Sequence, residues 1–294
     1  MTDTNATTTV SVLGLGAMGA AIAGALAADG RRVRAWNRTP KALPHGGIDV
    51  EASAATAVTG ADLVVLCVRD HSASRAVLDQ VARHVAGRVV VNLSTGTPVE
   101  AAESARQAAG LGVRYVTGAV MVPTPMVGTE HCVVLYAGDP ADLERLAPLS
   151  AAMRGTSDVV GGDHTVPPAL DLAMLDIYFA GMYAHLHATA LAAANGIAPH
   201  RFLPYAQGIV TTLGASLADL TTSIGSRRYD SGQARLDMCL SFLEHVVASS
   251  RDAGIDPGLA ETVRAASALA MTSSPPGADW DVVAEGFLPR ITTS

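Results

Sequence analysis

The chain of 294 residues is long enough for one or two domains with a substantial core, and its composition, 49% hydrophobic and 16% charged, excludes a disordered protein. Its net charge of −7 disfavours nucleic acid or an anionic membrane as the main partner. No apolar stretch approaches the roughly 20 residues of a membrane-spanning helix, and the N-terminus carries no secretion signal, so neither insertion nor export is expected.

Residues 8–30, TTVSVLGLGAMGAAIAGALAADG, predict a strand, a glycine turn and a helix closed by glycine. Gly14, Gly16 and Gly19 fit the G-x-G-x-x-G pattern in the context it requires, a strand before and a helix after. The helix N-terminus offers free N–H groups and a positive dipole end to phosphates. The motif predicts a dinucleotide bound by Gly14, Leu15, Gly16, Ala17, Met18 and Gly19. The alternative is a tight packing turn without a ligand.

The segment of residues 31–39 selects the cofactor. An NAD-dependent enzyme usually ends this strand with Asp or Glu, which binds the ribose 2′-hydroxyl. Here Asn37, Arg38 and Thr39 end the strand, and Lys41 follows. Two cations, an amide and a hydroxyl suit a 2′-phosphate dianion, so we predict NADPH/NADP+ as the cofactor. The alternative is a solvated surface turn.

The rest of this half alternates between strands and helix, which predicts a doubly wound sheet. The predicted strands are residues 61–68, 88–94, 113–120 and 131–138. The predicted helix between the first two of them is residues 72–87. Ligands on such sheets bind beyond the carboxyl ends of the strands, so loops 67–70, 92–98 and 120–128 are expected near the nicotinamide. The predicted contacts in the first two loops are Cys67, Val68, Asn92, Ser94 and Thr95. Polar residues that merely form turns are the alternative.

Two rare residue types restrict the chemistry. Lys41 is the only lysine, so a reaction that needs a lysine must use it. Cys67, Cys132 and Cys239 lie far apart, without the spacing of a metal site, and predict reduced thiols in a cytoplasmic protein without a metal.

Residues 165–196 predict one long helix, with two prolines at its start and Asn-Gly at its end. About 28 residues at 1.5 Å each give a rod about 40 Å long. It is apolar on nearly every face, and we expect a second subunit to wrap around it. Further helices are predicted at residues 200–223, 230–254 and 257–272. The predicted parts are an α/β Rossmann-type NADP(H) domain (1–162), a long interdomain helix (163–196) and an all-α C-terminal domain for dimerisation and substrate (197–294).

This order of parts resembles the β-hydroxyacid dehydrogenase superfamily and, within it, the imine reductases, also called reductive aminases when they condense a ketone with an amine. The segments that carry the resemblance are GLGAMG, NRTPKAL, NLSTGTP, GAVMVPTPMVGTEHCVVLYAG, ALDLAMLDIYF and SRRYDSGQARLDMCLSFLEHVV. The glycine motif is generic, whereas the helix and the MVPTPMVGT loop are specific. The resemblance implies hydride transfer from NADPH to an imine, or to the imine of a ketone plus an amine, by an intertwined homodimer with shared active sites.

The resemblance also implies site residues. Hydroxyacid dehydrogenases of this superfamily place a lysine on the long helix and hold the substrate carboxylate with a Ser-Gly-Gly-like loop. At these positions the chain has Asp171 and the apolar Met121-Val122-Pro123. Imine reductases carry Asp or Tyr at the helix position, so Asp171 is the implied catalytic residue. The predicted substrate pocket comprises Met121, Pro123, Leu175, Phe179 and Met238. Leu175 and Phe179 lie on the helix face beside Asp171, and Met238 is expected from the other subunit.

The chemistry of a carboxylate favours the same substrate. Ketone reduction creates an alkoxide, which an ionised Asp171 would repel, whereas a protonated imine is a cation that a carboxylate in a dry pocket attracts. Two structural alternatives stay open for Asp171. It complements the helix dipole in the first turn after Pro167 and Pro168, or it pairs with an arginine of a partner helix. The functional alternatives are a β-hydroxyacid or small-aldehyde dehydrogenase and a non-catalytic NADPH-binding dimer.

Overall fold

The computed structural model describes residues 8–41, 43, 46–232 and 234–288. Within these residues, eight strands form one sheet: β1 Thr9–Leu13, β2 Arg32–Trp36, β3 Ile48–Val50, β4 Leu63–Leu66, β5 Val89–Asn92, β6 Arg114–Val120, β7 Val133–Ala137 and β8 Thr156–Val159. The α-helices of the same residues are α1 Ala17–Ala28, α2 Ala54–Val58, α3 His71–Val81, α4 Pro98–Gly110, α5 Pro140–Leu143, α6 Ala147–Met153, α7 Val166–Ala194, α8 Pro199–Ser226, α9 Leu236–Asp252 and α10 Gly258–Ser273. Short 3₁₀ helices lie at Ala82–His84, Thr124–Met126, Glu144–Leu146 and Trp280–Gly286.

The sheet has the strand order of a Rossmann fold. Six strands run parallel in the order β3-β2-β1-β4-β5-β6. The direction of the crossovers reverses between β1 and β4, which is the point where such sheets bind dinucleotides. β7 pairs antiparallel with β6, and β8 pairs parallel with β7. The predicted α/β Rossmann-type domain followed by a helical domain is therefore confirmed, with an added edge of reversed strands.

The central strands are apolar throughout because both faces of the sheet are covered. Along β4, Leu63 and Val65 belong to one core cluster, whereas Val64 and Leu66 belong to the other. Helices α1 and α6 contribute to the first cluster, and α2, α3 and α4 to the second. Each buried Val or Leu side chain stabilises the fold by about 1.5–3 kcal/mol. The result is a rigid platform whose carboxyl-end loops carry the site.

Two strands and two helix boundaries are among the differences from the prediction. The sequence did not reveal β3 and β8, because strands of 3 and 4 residues are too short for a two-residue alternation to register. Helix α8 continues to Ser226, past the predicted end at residue 223, and stops where Arg227 adopts a left-handed conformation with φ 50°. Helix α9 begins at Leu236 instead of residue 230, after this turn.

Packing divides the chain into two compact units, and the boundary falls inside α7, between Asp176 and Ile177. The predicted long helix is confirmed, since α7 spans 29 residues. The predicted division at residues 162 and 196 stays a prediction. Within the described part of the chain, no helix is long and apolar enough to cross a membrane.

Candidate active site

The glycine turn lies directly after β1, at the switch point of the sheet. Gly14 has φ +105°, and a Cβ built on it would lie 2.2 Å from the carbonyl oxygen of Cys67 at the end of β4. A Cβ on Gly19 would lie 2.0 Å from the carbonyl oxygen of Gly14. A Cβ on Gly16, by contrast, would meet nothing within 4 Å. Gly14 and Gly19 are thus required by packing, whereas Gly16 leaves open space in front of the turn.

This open space lies before the N-terminus of α1. The helix begins at Ala17, and Gly16 at its N-cap has no side chain with which to cap it. The N–H groups of the first helical turn have no intrahelical acceptor, and the helix dipole adds positive potential there. Since Gly16 keeps the approach clear, the turn fits a pyrophosphate.

We expect Gly14→Ala and Gly16→Ala to act differently. Gly14→Ala should lower the free energy of unfolding by about 2 kcal/mol or more, because the added methyl group combines a positive φ with a clash against backbone. Gly16→Ala should leave Tm nearly unchanged and weaken NADPH binding, because its methyl group points into the open space. Thermal unfolding and NADPH titration measure the two effects. Equal Tm values for the two variants would contradict this assignment of roles.

The segment after β2 lies against the same turn. Asn37 Oδ1 accepts the N–H of Leu15 at 2.9 Å, and Asn37 Nδ2 donates to the carbonyl oxygen of Thr39 at 2.8 Å. Lys41 Nζ donates to the carbonyl oxygen of Leu15 at 2.7 Å. The guanidinium of Arg38 forms no hydrogen bond or ion pair with another described residue and is exposed. Arg38 is therefore available to an anion at this edge of the sheet.

A groove of about 620 Å³ brings most of the predicted cofactor residues together. Those that line it are Gly14, Gly16, Ala17, Met18, Gly19, Asn37, Arg38, Thr39, Cys67 and Val68. The sequence analysis did not single out Trp36 or the wall formed by one face of α3 (Ala73, Ala76, Val77 and Gln80), whereas Arg69, which also lines the groove, lies in the predicted loop 67–70. The position of α3 directly after β4, a switch-point strand, is the signal that could have identified this wall.

A second cavity of about 130 Å³ adjoins the groove, since Met18, Cys67 and Val68 line both. Asp171, Ser94 and Thr95, all predicted site residues, also line it. The further lining residues are His71, Leu93, Gly96, Thr117, Gly118, Ala119, Val120 and Pro168, of which the sequence analysis singled out none as a contact. The groove and the cavity therefore place the predicted nucleotide residues next to Asp171.

Asp171 is 6% exposed, and desolvation by burial raises the pKa of its carboxyl group above the ordinary value. No hydrogen bond or ion pair joins its side chain to another of the described residues, so nothing there offsets its burial. It is the sixth residue of α7, which has no acidic residue in its first turn. The alternative that Asp171 complements the helix dipole in the first turn is therefore wrong, because the helix begins before the two prolines.

The other titratable groups of the cavity are neutral near pH 7. Burial raises the pKa of the Cys67 thiol to about 12 and lowers the pKa of His71. Of the described residues that line the cavity, Asp171 is the one carboxylic acid, and none is Lys or Arg. The cavity thus combines one carboxyl group with uncharged walls that are partly apolar and partly polar, an arrangement that favours a cationic ligand.

A buried polar network supports the loops around the cavity. Asn92 is fully buried at the end of β5, and its amide donates to Ser74 Oγ at 3.0 Å and to Tyr115 Oη at 2.8 Å. Its Oδ1 accepts the N–H of Ser94 at 3.0 Å, and Ser94 Oγ accepts the N–H of Val68 at 3.1 Å. These bonds join the loops after β4 and β5. A direct contact of Asn92 with the nicotinamide stays a prediction.

The predicted substrate residues are distributed over both units. In the first unit, Met121 and Leu175 are half-buried and Pro123 is exposed. In the second unit, Phe179 is 59% exposed and Met238 is 45% exposed. None of the five is among the described residues that line the cavity of Asp171. Their role in the pocket stays a prediction.

Two family models match the chain. The NAD binding domain of 6-phosphogluconate dehydrogenase matches residues 9–161, and the NADPH-dependent reductive aminase-like C-terminal domain matches residues 163–288. An NADPH-dependent reductive aminase of Aspergillus oryzae is 25% identical over 284 residues, which cover 95% of this chain and 96% of that protein.

Solved structures show the same likeness. An imine reductase from Bacillus cereus BAG3X2 is 31% identical, with a TM-score of 0.82 over 95% of this chain and 99% of that chain. A reductive aminase from Aspergillus terreus, solved in complex with NADPH and ethyl levulinate, is 29% identical, with a TM-score of 0.88 over 96% of this chain and 100% of that chain.

The fold, the open glycine turn and the adjoining cavity define a nicotinamide-dinucleotide-dependent oxidoreductase. The chain belongs to the family of NADPH-dependent imine reductases and reductive aminases, which transfer hydride from NADPH to the carbon of a C=N bond. The predicted family, cofactor and enzyme class are thereby confirmed. A hydroxyacid dehydrogenase is not favoured, and the chain's only lysine, Lys41, lies at the glycine turn.

Proposed function

We propose that the enzyme reduces protonated imines and that Asp171 is the residue that binds the cation. One observation carries this proposal: Asp171 is a buried carboxyl group without a hydrogen-bond or ion-pair partner among the described residues, in a cavity that adjoins the cofactor groove. An iminium ion would supply the missing partner. NADPH oxidation with a panel of cyclic imines and of ketone–amine pairs tests the proposal, and no oxidation with any of them would refute it.

The raised pKa of Asp171 assists protonation of the substrate. A neutral imine takes the proton when Asp171 is protonated, and an iminium ion formed in water binds the ionised carboxylate. Either route gives the same iminium–carboxylate pair. At an effective dielectric constant near 20, the attraction at 4 Å is about 4 kcal/mol before desolvation costs. When bound, NADPH would supply the hydride, and addition of that hydride to the carbon of the C=N bond would neutralise the iminium. The product is then a neutral amine beside a carboxylate that recovers its proton from water.

NADPH is held, in this proposal, by the residues predicted from the sequence. The N–H groups at the start of α1 bind the pyrophosphate across the space that Gly16 leaves open. Arg38 and Thr39 bind the 2′-phosphate, and Asn37 and Lys41 complete the cofactor-binding segment after β2. Ser94 and Thr95, which line the cavity, lie beside the nicotinamide. No acidic residue between positions 37 and 41 opposes a phosphate dianion.

A homodimer with shared active sites is the proposed assembly. Large apolar side chains on α7 and α8 are exposed, among them Ile177 (65%), Leu186 (68%), Tyr205 (76%), Ile209 (67%) and Val210 (65%). Monomers rarely expose large apolar patches, and a second copy would cover these side chains. Met238 of one subunit would then join Met121, Pro123, Leu175 and Phe179 of the other as the substrate pocket. Light scattering at micromolar concentration should give the dimer mass, and a monomer mass would contradict this assembly.

The proposed substrates are small ketones with amines and the cyclic imines that resemble their condensation products. The Aspergillus terreus relative was solved with a keto ester, ethyl levulinate, and NADPH. Apolar side chains of the proposed pocket would select such substrates by shape, and Asp171 would select them by charge. Localisation in the cytoplasm stays a prediction of the sequence.

The burial of Asp171 predicts a stability effect that is independent of catalysis. Folding raises the pKa of this carboxyl group, so its ionisation costs more free energy in the folded protein than in the unfolded chain. The resulting loss of stability is absent at low pH and becomes complete as pH rises through the folded pKa. We expect Asp171→Asn to raise the Tm of the cofactor-free protein at pH 7–8, by about 2–4 °C for each kcal/mol regained. The gain should disappear near pH 4. A Tm at neutral pH equal to or below that of the wild type would contradict it.

A further inference from the structure

Leu15, the residue between Gly14 and Gly16, has both of its backbone polar groups bonded to one neighbouring segment. Its side chain is 1% exposed and belongs to the core of the sheet. Its N–H donates to Asn37 Oδ1 at 2.9 Å, and its carbonyl oxygen accepts from Lys41 Nζ at 2.7 Å. The segment after β2 therefore holds the glycine turn on both sides of a single residue.

These two bonds have a structural consequence for the turn. The N–H of Leu15 is used by Asn37 and is not available to a phosphate. Gly16 has no side chain, and the space beside it is open, so no neighbour packs against the turn at Gly16. The amide of Asn37 also donates to the carbonyl oxygen of Thr39 at 2.8 Å, which folds its own segment onto the turn. Hydrogen bonds from residues 37–41 therefore add to the buried side chain of Leu15 in holding the turn.

We infer that Lys41 and Asn37 are positioning residues that hold the glycine turn in its phosphate-binding shape, so that they support NADPH and NADH equally. The inference rests on the proposed NADPH site and assigns separate roles to Arg38 and Lys41. Arg38, whose guanidinium has no partner among the described residues, acts on the 2′-phosphate. Lys41 acts on the part of the cofactor that NADPH and NADH share, through the carbonyl oxygen of Leu15. A hydrogen bond from an ammonium group to a carbonyl is charge-assisted and is stronger than a neutral one.

Comparison of the two cofactors separates this role from direct binding of the 2′-phosphate by Lys41. Lys41→Met keeps the length of the side chain and removes the donor. We expect it to raise the Kd of NADPH and the Kd of NADH alike, by roughly tenfold, with their ratio unchanged. Quenching of tryptophan fluorescence reports both titrations, because Trp36 lines the groove.

Two further variants complete the experiment. Lys41→Arg restores a charged donor and should return both Kd values to within a few-fold of the wild type. Arg38→Met should raise the Kd of NADPH while leaving that of NADH unchanged. If Lys41→Met weakens NADPH alone, or neither cofactor, the inference is overturned although the proposed 2′-phosphate site stands. If Arg38→Met leaves the ratio of the two Kd values unchanged, the proposed site itself fails, whatever Lys41→Met does. A Tm within about 2 °C of the wild type confirms that each variant is folded.

Discussion

Replacement of Asp171 by Asn should lower kcat for imine reduction at least about 100-fold, which corresponds to about 2.7 kcal/mol of lost transition-state stabilisation. Asparagine has nearly the same shape and no charge. It removes an attraction of about 4 kcal/mol for an iminium ion at 4 Å, of which part is offset by the relief of carboxylate desolvation. It also removes the acid that protonates a neutral imine. The effect should appear with every imine substrate, because it does not depend on the shape of the pocket.

Steady-state reduction of a cyclic imine, together with NADPH titration, measures this prediction. NADPH affinity should stay within about twofold of the wild type, because Asp171 does not line the groove of the glycine turn. Asp176→Asn is the matched control, since Asp176 is an exposed carboxylate of the same helix. Turnover of Asp171→Asn equal to that of the wild type would remove Asp171 from the mechanism. An equal loss of turnover in Asp176→Asn would show that the effect comes from the net charge of the helix and not from the position of Asp171 in the cavity.

Replacement of Arg38 by Glu should shift the preference from NADPH towards NADH by roughly 100-fold in kcat/KM. In water, each pair of unit charges at 4 Å contributes about 1 kcal/mol. Reversal of one charge opposite a dianion changes four such contributions, so the unscreened change is roughly 4 kcal/mol, which salt reduces. The carboxylate of Glu would also accept a hydrogen bond from the ribose 2′-hydroxyl of NADH, as the acid of NAD-dependent enzymes does.

The ratio of kcat/KM for NADPH to that for NADH is the measured quantity. Arg69→Glu is the matched control, because Arg69 also lines the groove but follows β4 instead of β2. It changes the net charge by the same amount and should alter the ratio far less. An equal shift in both variants would indicate a general electrostatic effect of the groove, and an unchanged ratio in Arg38→Glu would show that the 2′-phosphate binds elsewhere.

In the proposed mechanism, residue 171 explains how a dehydrogenase fold acts on a different electrophile. A lysine at this position would stabilise developing negative charge on oxygen. A carboxylate favours a substrate that is positive before hydride arrives and neutral afterwards. Its burial destabilises the free enzyme, and the same burial strengthens its attraction for a cation. The stability prediction and the catalytic prediction for Asp171→Asn therefore have one physical cause and opposite signs.

The sequence by itself determined the features that depend on neighbouring residues. Gly14 and Gly19 were predicted because a tight strand-to-helix turn excludes side chains, and the structure places each of their Cβ positions within 2.2 Å of a carbonyl oxygen. The long helix was predicted because prolines and Asn-Gly mark its ends. The preference for NADPH was predicted from two cations that lie close together in the sequence, Arg38 and Lys41. Such features are readable because backbone geometry and local charge constrain residue type directly.

Only the tertiary structure decided which polar groups are satisfied and which are left without a partner. Asn92 and Lys41 were predicted as cofactor contacts, which stays a prediction, and folding also bonds them to Tyr115 and Leu15, which lie 23 and 26 residues away. The alternative that placed Asp171 in the first helical turn was wrong because α7 begins at Val166, before the two prolines. The isolation of Asp171 in a cavity depends on strands that precede it by many residues. Hydrogen bonding and desolvation depend on distances in space, and packing sets these distances after the local patterns have formed.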